Sequence, residues 1–193
     1  MYIALEGIDT AGKSTQIALL RDAFPDAIIT KEPGGTPAGV KIRDIVLHHE
    51  LHSSKAEFLL FLADRAEHTT QIIEPNKHKL IISDRSLVSG IAYALVKGDI
   101  STTALLHMNR FATGGIYPKK IFLLQLTPEE LTYRLSQKKL DGIEARGIPY
   151  LLEIQEALVE AATLLEIELI TINASDSIDA ISHSIITHIK EHQ

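Results

Sequence analysis

Residues 7–14 read Gly7-Ile8-Asp9-Thr10-Ala11-Gly12-Lys13-Ser14 and fit the pattern G-x-x-x-x-G-K-[ST]. The stretch follows a short apolar run, 2–5, and precedes a helical pattern in which Ile17, Leu20 and Phe24 recur at three and four residues. Two glycines let the backbone wrap closely enough for its N–H groups to surround phosphate oxygens. A helix starting at Ser14 points its positive end at the same anion. Lys13 suits the β- and γ-phosphates, and the Ser14 hydroxyl suits Mg²⁺. A plain glycine turn is the competing reading, since two placed glycines alone match at roughly half a percent of positions. The lysine, the serine and the strand–loop–helix context argue against it. Residues Gly7, Ile8, Asp9, Thr10, Ala11, Gly12, Lys13, Ser14 and Thr15 are therefore expected to bind a nucleoside triphosphate.

Working outward, short Ile- and Leu-rich runs at 2–5, 27–30, 80–83, 121–126 and 168–172 read as parallel strands covered on both faces. Between them lie amphipathic helical patterns, the last carried by Ile178, Ile181, Ile185 and Ile189. Thr127-Pro128-Glu129-Glu130 is a capping-box start with proline at the first helical position, which predicts a helix to about Gln137. The alternation predicts an α/β fold with a mainly parallel, five-stranded sheet. Segment 138–147 is polar, carries Gly142 and Gly147, and reads as a mobile excursion between two helices. No repeat, low-complexity stretch or linker divides the chain, so residues 1–193 are expected to form one domain.

Composition narrows the partners. With 25 acidic and 19 basic side chains the net charge is −6, which opposes nucleic-acid polymers and membrane surfaces. An apolar fraction of 45% and a charged fraction of 23% are those of an ordinary globule. The absence of cysteine excludes disulfides, zinc–thiolate sites and thiol nucleophiles. The amino terminus does not read as a secretory signal, and no apolar run approaches the ~20 residues that span a bilayer. A cytoplasmic setting is expected. His48, His49 and His52 read as a solvated helix end rather than a metal cluster, and His107 as a helix-surface residue.

Leu80-Ile81-Ile82-Ser83-Asp84 is a strand ending in a carboxylate. Alone, Asp84 is as well explained as a helix cap; beside a phosphate loop it suits a second Mg²⁺ anchor. Arg85 adds a permanent cation there. A GTPase is disfavoured, because Asn76-Lys77-His78-Lys79 ends in lysine where base reading needs aspartate. More telling is Lys31-Glu32-Pro33-Gly34-Gly35-Thr36-Pro37, followed by Arg43. Pro-Gly-Gly forces a tight turn, and this one falls at the carboxyl edge of the sheet, where open α/β sheets bind ligands.

Taken together, these blocks resemble the thymidylate kinases, which phosphorylate thymidine monophosphate (dTMP) with ATP. The resemblance spans nearly the whole chain: residues 7–15, 32–36 with Arg43, Phe61-Leu62-Ala63-Asp64-Arg65, Ser83-Asp84-Arg85 with Ser89 and Tyr93, and Asn173-Ala174-Ser175. It implies a three-layer α/β/α phosphate-loop kinase fold with a short lid at 138–147, ATP and Mg²⁺ as requirements, dTDP as product and a homodimer. Asp9 would meet the acceptor's 3′-hydroxyl and help organise the metal. Arg43 and Arg85 would hold the acceptor phosphate, in a site that includes Glu32, Pro33 and Ser89. Phe61 would stack on thymine and Arg65 bond its carbonyl edge. Read without the resemblance, 58–63 is a helix buried all round and Arg65 its solvated end; read with it, that helix also meets a partner subunit. Tyr93 would crowd the sugar 2′ position, and a core tyrosine is the equal alternative.

The implied chemistry needs no covalent intermediate. A phosphate monoester has a second pKa near ~6, so the acceptor is dianionic at pH 7 without a general base. Lys13, Arg43, Arg85 and Mg²⁺ would supply alignment and charge. The chain departs from the resemblance at Thr10, where relatives with an arginine need fewer cations in the lid, and at Gly142, where an arginine often follows the aspartate. Arg146 is then the candidate to close over the transferring phosphate, with a solvated loop charge as the alternative. Ala94 replaces a polar residue after Tyr93, and Lys119 and Gln125 stand at often acidic positions without an assigned role. Another nucleoside-monophosphate kinase, or an ATP-dependent binding switch, is the competing function. A switch does not need Glu32, Arg43, Phe61 and Arg65.

Overall fold

In the computed structural model, which describes residues 1–137 and 144–191, five apolar segments pair into one sheet. These are β1 (Tyr2–Glu6), β2 (Ile28–Lys31), β3 (Ile81–Asp84), β4 (Lys120–Gln125) and β5 (Glu168–Asn173). All pairings are parallel, in the order β2-β3-β1-β4-β5, with Ala4 between Ser83 and Ile121. The runs expected to be strands are strands, and the sheet is wholly rather than mainly parallel. Strands β2 and β5 depart from the two-sided burial expected of them. They are the two edges, and Thr30 and Ile172 are the one buried residue of each.

Among the described residues, eight α-helices flank the sheet: α1 (Lys13–Ala23), α2 (Pro37–His48), α3 (Ser54–His68), α4 (Leu87–Lys97), α5 (Thr102–Thr113), α6 (Pro128–Ser136), α7 (Ile148–Leu164) and α8 (Ile178–Lys190). Strand side chains alternate between faces, so each face builds its own core. Ile3, Leu5, Phe122 and Leu124 pack with Leu20 of α1 and Ile185 and Ile189 of α8. Ala4, Ile121 and Leu123 pack with Ile91 of α4 and Leu158 and Ala161 of α7. The result is a three-layer α/β/α arrangement. No helix of the described residues is long and apolar enough to cross a membrane.

Local chemistry sets the helix starts. The Thr36 hydroxyl accepts from Gly39 N at 2.9 Å, and the Thr127 hydroxyl accepts from Glu130 N at 3.2 Å. The Glu130 carboxylate does not return to the cap; it takes Arg134 Nε at 2.6 Å. Only half of the expected capping box forms. Helix α3 departs further from expectation. Phe58 and Leu62 are buried against Leu105 of α5, but Leu59 is 52% exposed, so the helix is not buried all round. Arg65 is 2% exposed and is no solvated end. Of the expected excursion, 138–143 lie outside the described residues, and Glu144–Arg146 is one 3-10 turn leading into α7. His48, His49, His52 and His107 are exposed, with His48 Nδ1 2.9 Å from Asp44 Oδ1.

Candidate active site

The phosphate loop joins the carboxyl end of β1 to the first residue of α1. Gly7 is required there: a Cβ would sit 2.8 Å from Leu124 O, and the backbone has φ +149°. Lys13 Nζ curls back over the loop and donates to Gly7 O at 2.9 Å and Ile8 O at 3.0 Å. Burial pushes its ammonium down to about 8, Arg85 adds to the shift, and Asp9, Asp84 and Glu6 oppose it. Asp9, Thr10, Gly12, Lys13, Ser14 and Thr15 line a cavity completed by Lys31, Glu32, Arg43, Asp84 and Arg85. Asp84 Oδ1 is buried with no hydrogen-bond partner among the described residues. Ser14 shares the cavity wall and is exposed. One carboxylate and one hydroxyl fit Mg²⁺, which binds through few protein oxygens and keeps several waters.

A second cleft adjoins the first. Arg85 has φ +67°, and its N–H donates to Leu5 O at 2.9 Å, so the chain turns abruptly at the end of β3. The turned side chain donates through NH1 to Gly7 O at 2.9 Å and Ser89 Oγ at 3.0 Å, and through NH2 to Asp9 Oδ1 at 2.7 Å. Beneath it Glu6 is wholly buried and accepts from the Ser86 and Ser89 hydroxyls. Burial pushes the Glu6 carboxyl up, against Arg85 and the two serines. Arg43 NH1 donates to Pro33 O at 3.0 Å, beside the cis Glu32–Pro33 peptide.

The Pro-Gly-Gly turn rests on buried charge. Gly34 N donates to Asp64 Oδ1 at 2.9 Å, and a Cβ on Gly35 would meet Lys31 O at 2.6 Å. Arg65 Nε donates to Glu32 Oε1 at 2.6 Å, and Arg65 NH1 donates to Asn109 Oδ1. His68 lies between Glu32 Oε2 at 3.3 Å and Thr30 Oγ1 at 2.7 Å. Burial pushes the Glu32 carboxyl up, but Arg65 and His68 outweigh it and hold it below its ordinary value. Burial also pushes the Tyr93 hydroxyl up to about 12, against Arg85.

The expected acceptor-site residues converge. Asp9, Glu32, Pro33, Arg43, Phe61, Arg65, Arg85, Ser89 and Tyr93 all line the second cleft. Gly7, Ile8 and Ala11 are buried behind the loop. Arg146 lines neither cavity; its guanidinium lies 4.9 Å over the Tyr150 ring and donates to the Tyr150 hydroxyl at 3.0 Å. Sequence reasoning missed Glu6, His68, Asn109 and Arg134. The last bridges Thr10 O at 2.9 Å and Ala174 O at 2.6 Å, tying the phosphate loop to the segment after β5. Its one sequence signal was Asn173-Ala174-Ser175.

Two adjoining cavities that share Asp9, Glu32, Arg43 and Arg85 suit a protein that brings two phosphorylated molecules together. On this sheet topology, that describes a phosphate-loop nucleotide kinase. Residues 5–185 match the thymidylate kinase family. The thymidylate kinase of Sulfurimonas denitrificans is 70% identical over 189 residues, covering 98% of this chain and 99% of that protein. That of Wolinella succinogenes is 54% identical over 187 residues, covering 97% of each. Among solved structures, thymidylate kinase from Ehrlichia chaffeensis superimposes with a TM-score of 0.76 at 25% identity, covering 98% of each chain. The chain belongs to the thymidylate kinase family.

Proposed function

We propose that residues 1–193 form one catalytic domain that transfers the γ-phosphate of ATP to the 5′-phosphate of thymidine monophosphate, giving dTDP. The observation that carries this reading is the junction of the two cavities, where Asp9, Arg43 and Arg85 line both. A donor on the Lys13 side and an acceptor on the Phe61 side would meet there, and direct in-line transfer follows.

The acceptor dianion needs no base. Arg43 and Arg85 hold it and cancel its repulsion from the donor. Lys13 and the loop N–H groups hold the triphosphate, and the positive end of α1 adds to them. Asp9, anchored by Arg85, meets the acceptor's 3′-hydroxyl. Phe61 and Tyr93 flank the base and sugar, and Arg65 bonds a base carbonyl. Ser14 and Asp84 would hold Mg²⁺, whose charge would offset that of the triphosphate. A coupled ADP-release assay across nucleoside monophosphates tests the reading. Thymidine monophosphate is expected to stimulate release most. Equal or greater stimulation by adenylate or uridylate points to another monophosphate kinase, and release indifferent to any acceptor points to a binding switch.

Arg146 is proposed to leave Tyr150 and close over the transferring phosphate. Arg146→Ala is expected to lower kcat by about tenfold or more; unchanged turnover sinks the proposal. A homodimer is proposed through α2 and α3, on which Val40 is 56% and Leu59 52% exposed. The setting proposed is the cytoplasm.

A further inference from the structure

Arg65 is held on three sides. Glu32 takes its Nε–H at 2.6 Å, Asn109 Oδ1 takes one N–H of NH1, and a Cβ on Gly90 would come within 2.6 Å of NH2. A guanidinium carries five N–H donors in a fixed plane, so these contacts leave the remaining edge for the cleft that Arg65 lines. Glu32 alone anchors the group at one point and leaves the plane free to swing. Asn109 supplies the second point.

Asn109 lies on α5, is wholly buried and lines neither cavity. Its Nδ2 donates to Leu105 O, one turn back on the same helix, at 2.7 Å. That bond fixes the amide's orientation. A flipped amide would set its oxygen against the Leu105 carbonyl and its NH₂ against the Arg65 N–H groups, two repulsive contacts in place of two attractive ones. The acceptor face is therefore committed to Arg65.

We propose that Asn109 is a positioning residue for acceptor recognition, fixing the Arg65 guanidinium so that its cleft-facing N–H edge meets a carbonyl of the acceptor base. The inference rests on the reading of Arg65 as the base-reading group. Ordering that side chain before the substrate arrives lowers the entropy lost on binding. The effect should therefore fall on acceptor binding and not on transfer, because Asn109 touches neither nucleotide.

Steady-state kinetics of the full chain separates these terms. Asn109→Leu is expected to raise KM for thymidine monophosphate about tenfold, as for loss of a charge-assisted hydrogen bond, with kcat and KM for ATP within about twofold. Asn109→Ser, which withdraws the acceptor without adding bulk, should give the same split. Asn109→Asp keeps an oxygen for Arg65 but replaces the donor to Leu105 O with a second oxygen, so it should raise KM by less than leucine does. In an Arg65→Ala background, Asn109→Leu should change nothing further. A KM rise shared with ATP, an equal penalty in the Arg65→Ala background, or no effect of leucine and serine would overturn the proposal. Arg65→Ala alone separates the two claims. If it leaves KM for thymidine monophosphate unaltered, the reading of Arg65 fails; if it raises KM while Asn109 variants are silent, only the role of Asn109 fails.

Discussion

Replacing Arg85 by alanine is expected to lower kcat/KM for thymidine monophosphate by about a thousandfold or more, the scale of an arginine that stabilises phosphoryl-transfer charge. Arg85 borders both cavities, so its loss removes a cation from the place where, on the proposed function, two polyanions approach. The damage extends beyond charge. Asp9 loses its 2.7 Å partner, and Ser89 loses the N–H it accepts. Glu6, wholly buried beneath, loses the cation that opposes the cost of its burial. A thousandfold loss is about 4 kcal/mol of transition-state stabilisation. Arg85→Lys should recover only part of it, because an ammonium cannot serve Gly7 O, Asp9 and a phosphate with one planar fork. Steady-state kinetics with saturating ATP decides the matter, and a loss below tenfold for alanine would remove Arg85 from the machinery.

Lys13→Met is expected to cost a similar factor in kcat, about a thousandfold, because no other cation lies inside the loop. Lys13 also makes a distinctive pH prediction. Burial disfavours the charge and pushes its ammonium down from the ordinary lysine value of 10.5 to about 8 in the free protein. As pH rises above 8 the free enzyme loses that charge, so kcat/KM for ATP should fall about tenfold per pH unit. Bound triphosphate favours the cation, so kcat should hold to higher pH. Stability moves in the opposite direction. Between pH 8 and 10.5 the unfolded chain binds more protons at this site than the folded one, so the Lys13 contribution to stability rises with pH. Below pH 8 the buried charge is a net cost that methionine removes. Lys13→Met should therefore melt higher than the parent at pH 7, and by a shrinking margin towards pH 10. A lower melting temperature throughout, or a flat kcat/KM profile to pH 10, would contradict this account.

What was legible in the sequence was local. Ile3 and Leu5, Ile81 and Ile82, and Ile121 to Leu124 lie in continuous apolar runs because the sheet covers them on both faces. The phosphate loop was legible because its chemistry is packed into eight consecutive residues, 7–14. Strands β2 and β5 misled because an apolar run carries no mark of lying at an edge. The missed site residues share a different cause. Glu6 meets Ser86 across 80 positions, Arg65 meets Asn109 across 44, and Arg134 meets Thr10 across 124. No period or spacing links such pairs; only the crossover connections of a parallel sheet bring them together. Arg65 shows the difficulty best. A lone arginine at a helix end reads as solvated, and its burial is evident only once Glu32 and Asn109 are in place.

The doubly engaged Glu32 constrains how this enzyme can change. One buried carboxylate serves Arg65 on one side and, on the other, His68 beneath the turn that carries Pro33, whose carbonyl in turn holds Arg43. On the proposed role of Arg65, substituting it to alter base preference would leave that carboxylate with His68 alone and disturb the turn that holds Arg43. A change in nucleobase choice would then be felt at the phosphate side too, and divergence would favour altering the arginine and the glutamate together.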